Sequence, residues 1–102
     1  MLNYISTLSK FMVKKNLLSI IGKTYTYEIL SALKGEKRFK ELAEACQIEK
    51  MRTERLKELE SAGLVKVRLE RIGRRPVSIY GLTDSGKKIL KLAEEMMKVK
   101  YL

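Results

Sequence analysis

Residues 49–86 read EKMRTERLKELESAGLVKVRLERIGRRPVSIYGLTDSG, and the apolar period within them changes at Leu64. Upstream, Leu56 and Leu59 fall on one side of a run from Glu49 to Ala62, which opens with an acid suited to a helix N-terminus and closes at Gly63. Downstream, Val65, Val67 and Leu69 alternate with Lys66, Arg68 and Glu70, the pattern of a half-buried strand. A second strand is predicted at Val77 to Leu82. Between the two, Arg71, Ile72, Gly73, Arg74, Arg75 and Pro76 make a hairpin loop, basic at its tip. Thr83 or Asp84 then caps a last helix from about Ser85 to Val99.

Working back toward the N-terminus, Phe39, Leu42, Ala43 and Cys46 share one face of a third helix of about two to three turns, entered through an extended piece, Lys37 to Phe39. Tyr25, Ile29, Leu30 and Leu33 mark a second helix that stops at Gly35, read as a left-handed terminator. Leu2, Ile5, Leu8 and Met12 recur every three or four residues in a first amphipathic helix, which ends between Lys15 and Ile21. The order is helix, helix, short strand, helix, helix, hairpin, helix. This is a mainly α chain with a small β-hairpin: a winged helix-turn-helix with additional N- and C-terminal helices. It forms one domain over 1–102, with the N-terminal helix at 1–21, the winged core at 23–84 and the C-terminal helix at 85–102.

The stretches KRFKELAEAC, EKMRTERLKELESAGLV and RPVSIYGLTDSGKKIL resemble the HxlR group of winged-helix transcription regulators, and more distantly MarR and PadR proteins. The resemblance covers about residues 17 to 92. It is carried by Arg38-Phe39, Arg55-Leu56, Glu58-Leu59, Gly63-Leu64 and Leu82-Thr83 with Gly86, in that order and spacing. It implies a DNA-binding repressor or activator, homodimeric through terminal helices outside the winged core, in a family that includes thiol sensors. The sequence departs from the pattern at Lys40, where a small polar cap is common, and at Arg52, where an aliphatic residue is usual. Thr24 and Tyr25 follow Gly22 and Lys23 where a tryptophan is common.

Composition points the same way independently. Twenty-two Lys and Arg against twelve Asp and Glu leave a net charge of +10, which favours a polyanionic partner. With no His, the chain lacks an imidazole base and His metal ligands. Its single cysteine, Cys46, excludes an internal disulfide and a zinc finger and fits a reducing, cytoplasmic setting. No apolar run approaches the roughly 18 residues of a membrane span. No enzyme activity, cofactor or metal is implied.

On a helical wheel at about 100° per residue, Leu56, Leu59 and Gly63 form the inner face of the 49–62 helix. Lys50, Glu54, Lys57 and Ser61 fall opposite, with Thr53 and Glu58 at the flanks. Such residue types contact base edges and phosphates, so Lys50, Thr53, Glu54 and Lys57 are the expected groove-facing set. Arg52 falls on the inner side, but its place in the first turn lets a long stem carry the guanidinium outward, and it is included as a DNA contact. In the wing, Arg71, Arg74 and Arg75 are expected at phosphates or the minor groove. The plainer account, a solvated helix face and a soluble turn, loses weight within a winged-helix layout.

Cys46, in phase with Phe39, Leu42 and Ala43, is read as a small core residue rather than an exposed thiol. Gly22-Lys23-Thr24 imitates the end of a phosphate-binding loop, but the glycine that motif requires five residues earlier is Leu17, and nucleotide binding is rejected. Leu2, Ile5, Leu8 and Met12, together with Ile89, Leu92, Met96 and Val99, supply more apolar surface than the small core needs, and a symmetric homodimer buries it. The expected function is a homodimeric, sequence-specific regulator of transcription on a roughly palindromic operator in double-stranded DNA, with no membrane partner. Two alternatives stand beside it: an architectural or chromatin-type protein with little sequence preference, and a protein-protein adaptor.

Overall fold

The fold, described for residues 17–99 in a computed structural model, begins with the helical residues 17–21 (α1). It continues through α2 (Thr26–Ala32), β1 (Lys37–Arg38), a 3₁₀ helix (Lys40–Glu44), α3 (Glu49–Ser61), β2 (Val65–Ile72), β3 (Arg75–Leu82) and α4 (Asp84–Val99). Leu2, Ile5, Leu8 and Met12 lie outside the described residues. The core forms where α2, the 3₁₀ helix, α3 and the base of the wing converge. Ile29, Leu30, Leu42 and Leu59 are fully buried there, each stabilising the fold by about 1.5–3 kcal/mol.

Gly63 does what its position in the sequence promises. At φ +77° it ends α3 in the left-handed region, while its N–H donates to the Glu60 carbonyl at 3.0 Å and that of Leu64 to the Leu59 carbonyl at 2.9 Å. These paired bonds are the Schellman closure, and they turn the chain directly into β2. Gly35 does not play the same part: its φ is not positive. Helix α2 ends earlier, at Ala32, and tightens through a bifurcated bond from the Leu33 N–H to the Ile29 and Leu30 carbonyls, both at 3.1 Å.

The segment predicted as a short α-helix is a five-residue 3₁₀ helix, with no side-chain cap on Phe39. So few residues cannot repay the cost of α-helix nucleation. A bond from the Arg38 N–H to Glu41 Oε1 at 2.8 Å ties the end of β1 to the first turn of this helix. Lys37 and Arg38 are extended as predicted, and they pair with Tyr80 and Ile79 of β3. The sheet therefore has three strands, in the order β1-β3-β2.

The wing also differs from the sequence reading. β2 and β3 pair from Val65↔Leu82 out to Ile72↔Arg75, which places Arg71, Arg75 and Pro76 in strands and shortens the tip to Gly73-Arg74. Gly73 has φ +67°, the signature of a type II′ turn, whose twist matches that of the flanking strands. β2 is not half-buried: only Val65 is buried, and Leu69 is 74% exposed. Alternation signals burial only where a second layer covers one face, and the outer hairpin extends past the helices.

Of the two candidate caps for the last helix, Thr83 performs the role. Its Oγ1 accepts from the Gly86 N–H at 3.0 Å and donates to the Gly63 carbonyl at 2.6 Å, so one hydroxyl ties the end of α3 to the start of α4. Cys46 is 1% exposed, in the core as expected.

Candidate nucleic-acid interface

The exposed side of α3 carries Lys50, Glu54 and Lys57, with Thr53 half-buried beside them. The Thr53 hydroxyl donates to the Glu49 carbonyl at 3.0 Å, leaving its lone pairs to face outward as acceptors. The opposite, inner face is filled by Leu56 and Leu59, 2% and 0% exposed.

The helix is held against the rest of the fold at both ends. Near its C-terminal half, Arg55 Nε donates to the Thr24 carbonyl at 2.9 Å and Nη1 to Glu58 Oε1 at 2.9 Å. Glu58 also pairs with Lys23. The hydrogen bond from Lys23, then its charge and that of Arg55, hold the Glu58 carboxyl below its ordinary pKa. These contacts fasten the α1–α2 connection to α3.

Near the N-terminal end, Arg52 departs from the outward reach expected of it. It is 7% exposed, and its guanidinium donates to the carbonyls of Cys46 at 2.9 Å, Phe39 at 3.3 Å and Gln47 at 3.4 Å. It also lies 4.6 Å from the centroid of the Phe39 ring. Three nearby carbonyls, of which that of Phe39 also accepts from the Leu42 N–H at 3.2 Å, and the aromatic face outcompete solvent for the head group. Arg52 is thus turned away from the surface that Lys50, Glu54 and Lys57 present.

Between α3 and the wing runs a groove of about 770 Å³, lined among others by Arg38, Lys40, Thr53, Lys57, Arg75 and Tyr80. The fold brings Thr53 and Lys57 of the helix and Arg75 of the wing to one concavity. Arg71 and Arg74 are exposed farther along the hairpin and do not line it. The sequence reading missed Arg38 and Lys40. The available signal was their placement on either side of Phe39, at the entry to the first helix of the helix-turn-helix, where basic residues can meet a nucleic-acid backbone. Tyr80 was missed too; burial pushes its phenol pKa up.

The wing arginines divide into two groups. Arg68 is bonded to Glu36 at 3.1 Å and Glu70 at 2.9 Å, and the hydrogen bond to Glu36, followed by that to Glu70, holds its pKa above the ordinary value. Arg71, Arg74 and Arg75 have no ion pair among the described residues, so their charge remains available to an anion.

Helix-turn-helix, three-stranded wing and basic groove together define a winged helix-turn-helix protein. The chain belongs to the HxlR-like helix-turn-helix family, whose profile matches residues 20–101. It is similar to the diamide-treated YodB from B. subtilis, with 35% identity and a TM-score of 0.71 over 78% of this chain and 81% of that one. A MarR family transcriptional regulator from Enterococcus faecalis V583 is similar at 25% identity and a TM-score of 0.76, covering 90% of this chain and 86% of its own. PadR from Bacillus subtilis, solved in complex with operator DNA, is similar at 26% identity and a TM-score of 0.61, over 68% of this chain and 45% of its own. No curated protein matches the sequence significantly. Among the described residues no helix is long and apolar enough to cross a membrane.

Proposed function

We propose that this protein regulates transcription as a homodimer, each copy inserting α3 into one major groove of a roughly palindromic operator. The observation that carries the reading is the groove in which Arg38, Lys40, Lys57 and Arg75 meet, with Lys50 and Glu54 exposed on α3 and Arg71 and Arg74 exposed on the hairpin. In this arrangement Lys50, Thr53 and Glu54 read base edges, while Lys57, Arg38, Lys40, Arg71, Arg74 and Arg75 hold phosphates or the minor groove. The similarity to PadR, which was solved with operator DNA, supports it.

The dimer is supported by α4. Leu92, Met96 and Val99 are 54%, 66% and 64% exposed, an apolar stripe that is unfavourable in water at about 25 cal/mol per Å². Ile89 is partly buried and packs against the protein's own core, so the seam assigned to α4 runs through the other three. Two-fold symmetry then spaces the half-sites by about one DNA turn or a multiple of it.

The test is selection of duplexes from a random pool, followed by affinity measurements at fixed salt. A regulator binds its selected duplex about 10³-fold or more tightly than random DNA. Equal affinities would instead favour an architectural protein, and no binding at low salt an adaptor.

A further inference from the structure

Arg52 places a full positive charge in the interior, 7% exposed, with no carboxylate partner among the described residues. Its guanidinium is solvated by carbonyl dipoles, and the carbonyls it selects lie on opposite ends of one element. Phe39, at 3.3 Å, precedes the 3₁₀ helix; Cys46, at 2.9 Å, and Gln47, at 3.4 Å, follow it. The guanidinium lies 4.6 Å from the Phe39 ring centroid, which adds a cation–π contact to the hydrogen bonds.

A helix of five residues has little stability of its own. A planar fork on the neighbouring helix that grips both of its ends fixes its distance and its angle at once. An apolar side chain could fill the space without setting either. A lysine could not reach three acceptors in this geometry, because its donors radiate from one point.

We propose that Arg52 is the positioning residue of the helix-turn-helix: a strap from α3 across both ends of the 3₁₀ helix that sets the pose in which α3 reads DNA. The inference rests on the DNA-reading role proposed above. Lys50, Thr53 and Glu54 all lie within one turn of Arg52, so a loosened strap displaces the residues assigned to base edges. Base readout fails with shifts of about 1 Å, a tolerance set by hydrogen-bond geometry. Phosphate contacts from long Lys and Arg side chains adapt to such shifts. Loss of the strap should therefore reduce specific binding while sparing random binding.

The experiment uses the full chain and two duplexes of equal length and composition, one enriched by the unaltered protein from a random pool and one scrambled. Arg52→Met keeps the apolar stem and removes the fork. It should remain folded at the assay temperature with a lowered melting temperature, because buried carbonyls lose their donor, bind the enriched duplex at least tenfold more weakly, and bind scrambled DNA with unchanged affinity and salt dependence. An unchanged preference for the enriched duplex would overturn the proposal. So would a salt slope lowered by about 0.9, the mark of a direct phosphate contact. Should the Met variant not fold, Arg52→Lys is read in the same way: lost preference supports the strap and retained preference overturns it. Failure of the pool to yield any enriched duplex would overturn the regulator reading together with the positioning role, whereas an enriched duplex that Arg52→Met binds normally removes the positioning role alone.

Discussion

A Cβ added to Gly86 would stand 2.0 Å from the carbonyl oxygen of Leu64, so the first turn of α4 rests directly on the backbone that leaves α3. Gly86→Ala must push the two backbones apart and should cost about 3 kcal/mol or more. Gly63→Ala meets nothing within 4 Å and suffers only from its positive φ, a cost of about 1 kcal/mol. Urea unfolding of the two variants distinguishes them; a Gly86→Ala no worse than Gly63→Ala would contradict the close approach.

Acid should weaken the anchor of α3. The Glu58 carboxyl is held below its ordinary value near 4.5, chiefly by the hydrogen bond from Lys23. Its contribution is therefore complete above that value and is lost as pH falls through the lower, folded-state pKa. Glu58→Gln should be less stable than the parent at neutral pH by about 1 kcal/mol or less, as for other partly exposed pairs, and the gap should close in acid. A gap independent of pH would mean that the ion pair contributes nothing to stability.

Base reading and phosphate holding should separate by mutation. Lys50→Ala or Glu54→Ala should alter preference among operator variants by about 1 to 3 kcal/mol per lost contact. Arg74→Ala with Arg75→Ala should weaken enriched and random duplexes alike and flatten the log K against log salt plot by about 0.9 per lost phosphate contact. Wild-type affinity and slope in the double wing variant would show the wing to be a bystander.

The apolar stripe of α4 makes a prediction about assembly. Leu92→Glu with Met96→Glu places charge at two exposed positions, so the monomer fold should persist while any dimer dissociates. Light scattering should report twice the monomer mass for the parent at micromolar concentration and the monomer mass for the variant. A parent that is already monomeric would remove the basis for a palindromic operator.

The positions of α3 and α4, the Schellman end at Gly63 and the interior place of Cys46 were legible in the sequence, because each depends on local periodicity or on the backbone freedom of one residue. Helical phase also assigned Lys50, Glu54 and Lys57 to the outer face of α3. What lay beyond it depended on which surfaces are covered and which groups meet across the fold. The alternation of β2 has no second layer to bury it, the segment after Phe39 is too short to hold an α-helix, and Gly35 is not needed where α2 closes through its own carbonyls. Arg52 shows the division most clearly. The wheel placed its stem on the inner side, but only the tertiary structure brings the carbonyls of Phe39, Cys46 and Gln47 within its reach, so a cation expected at DNA is held by the protein's own backbone dipoles.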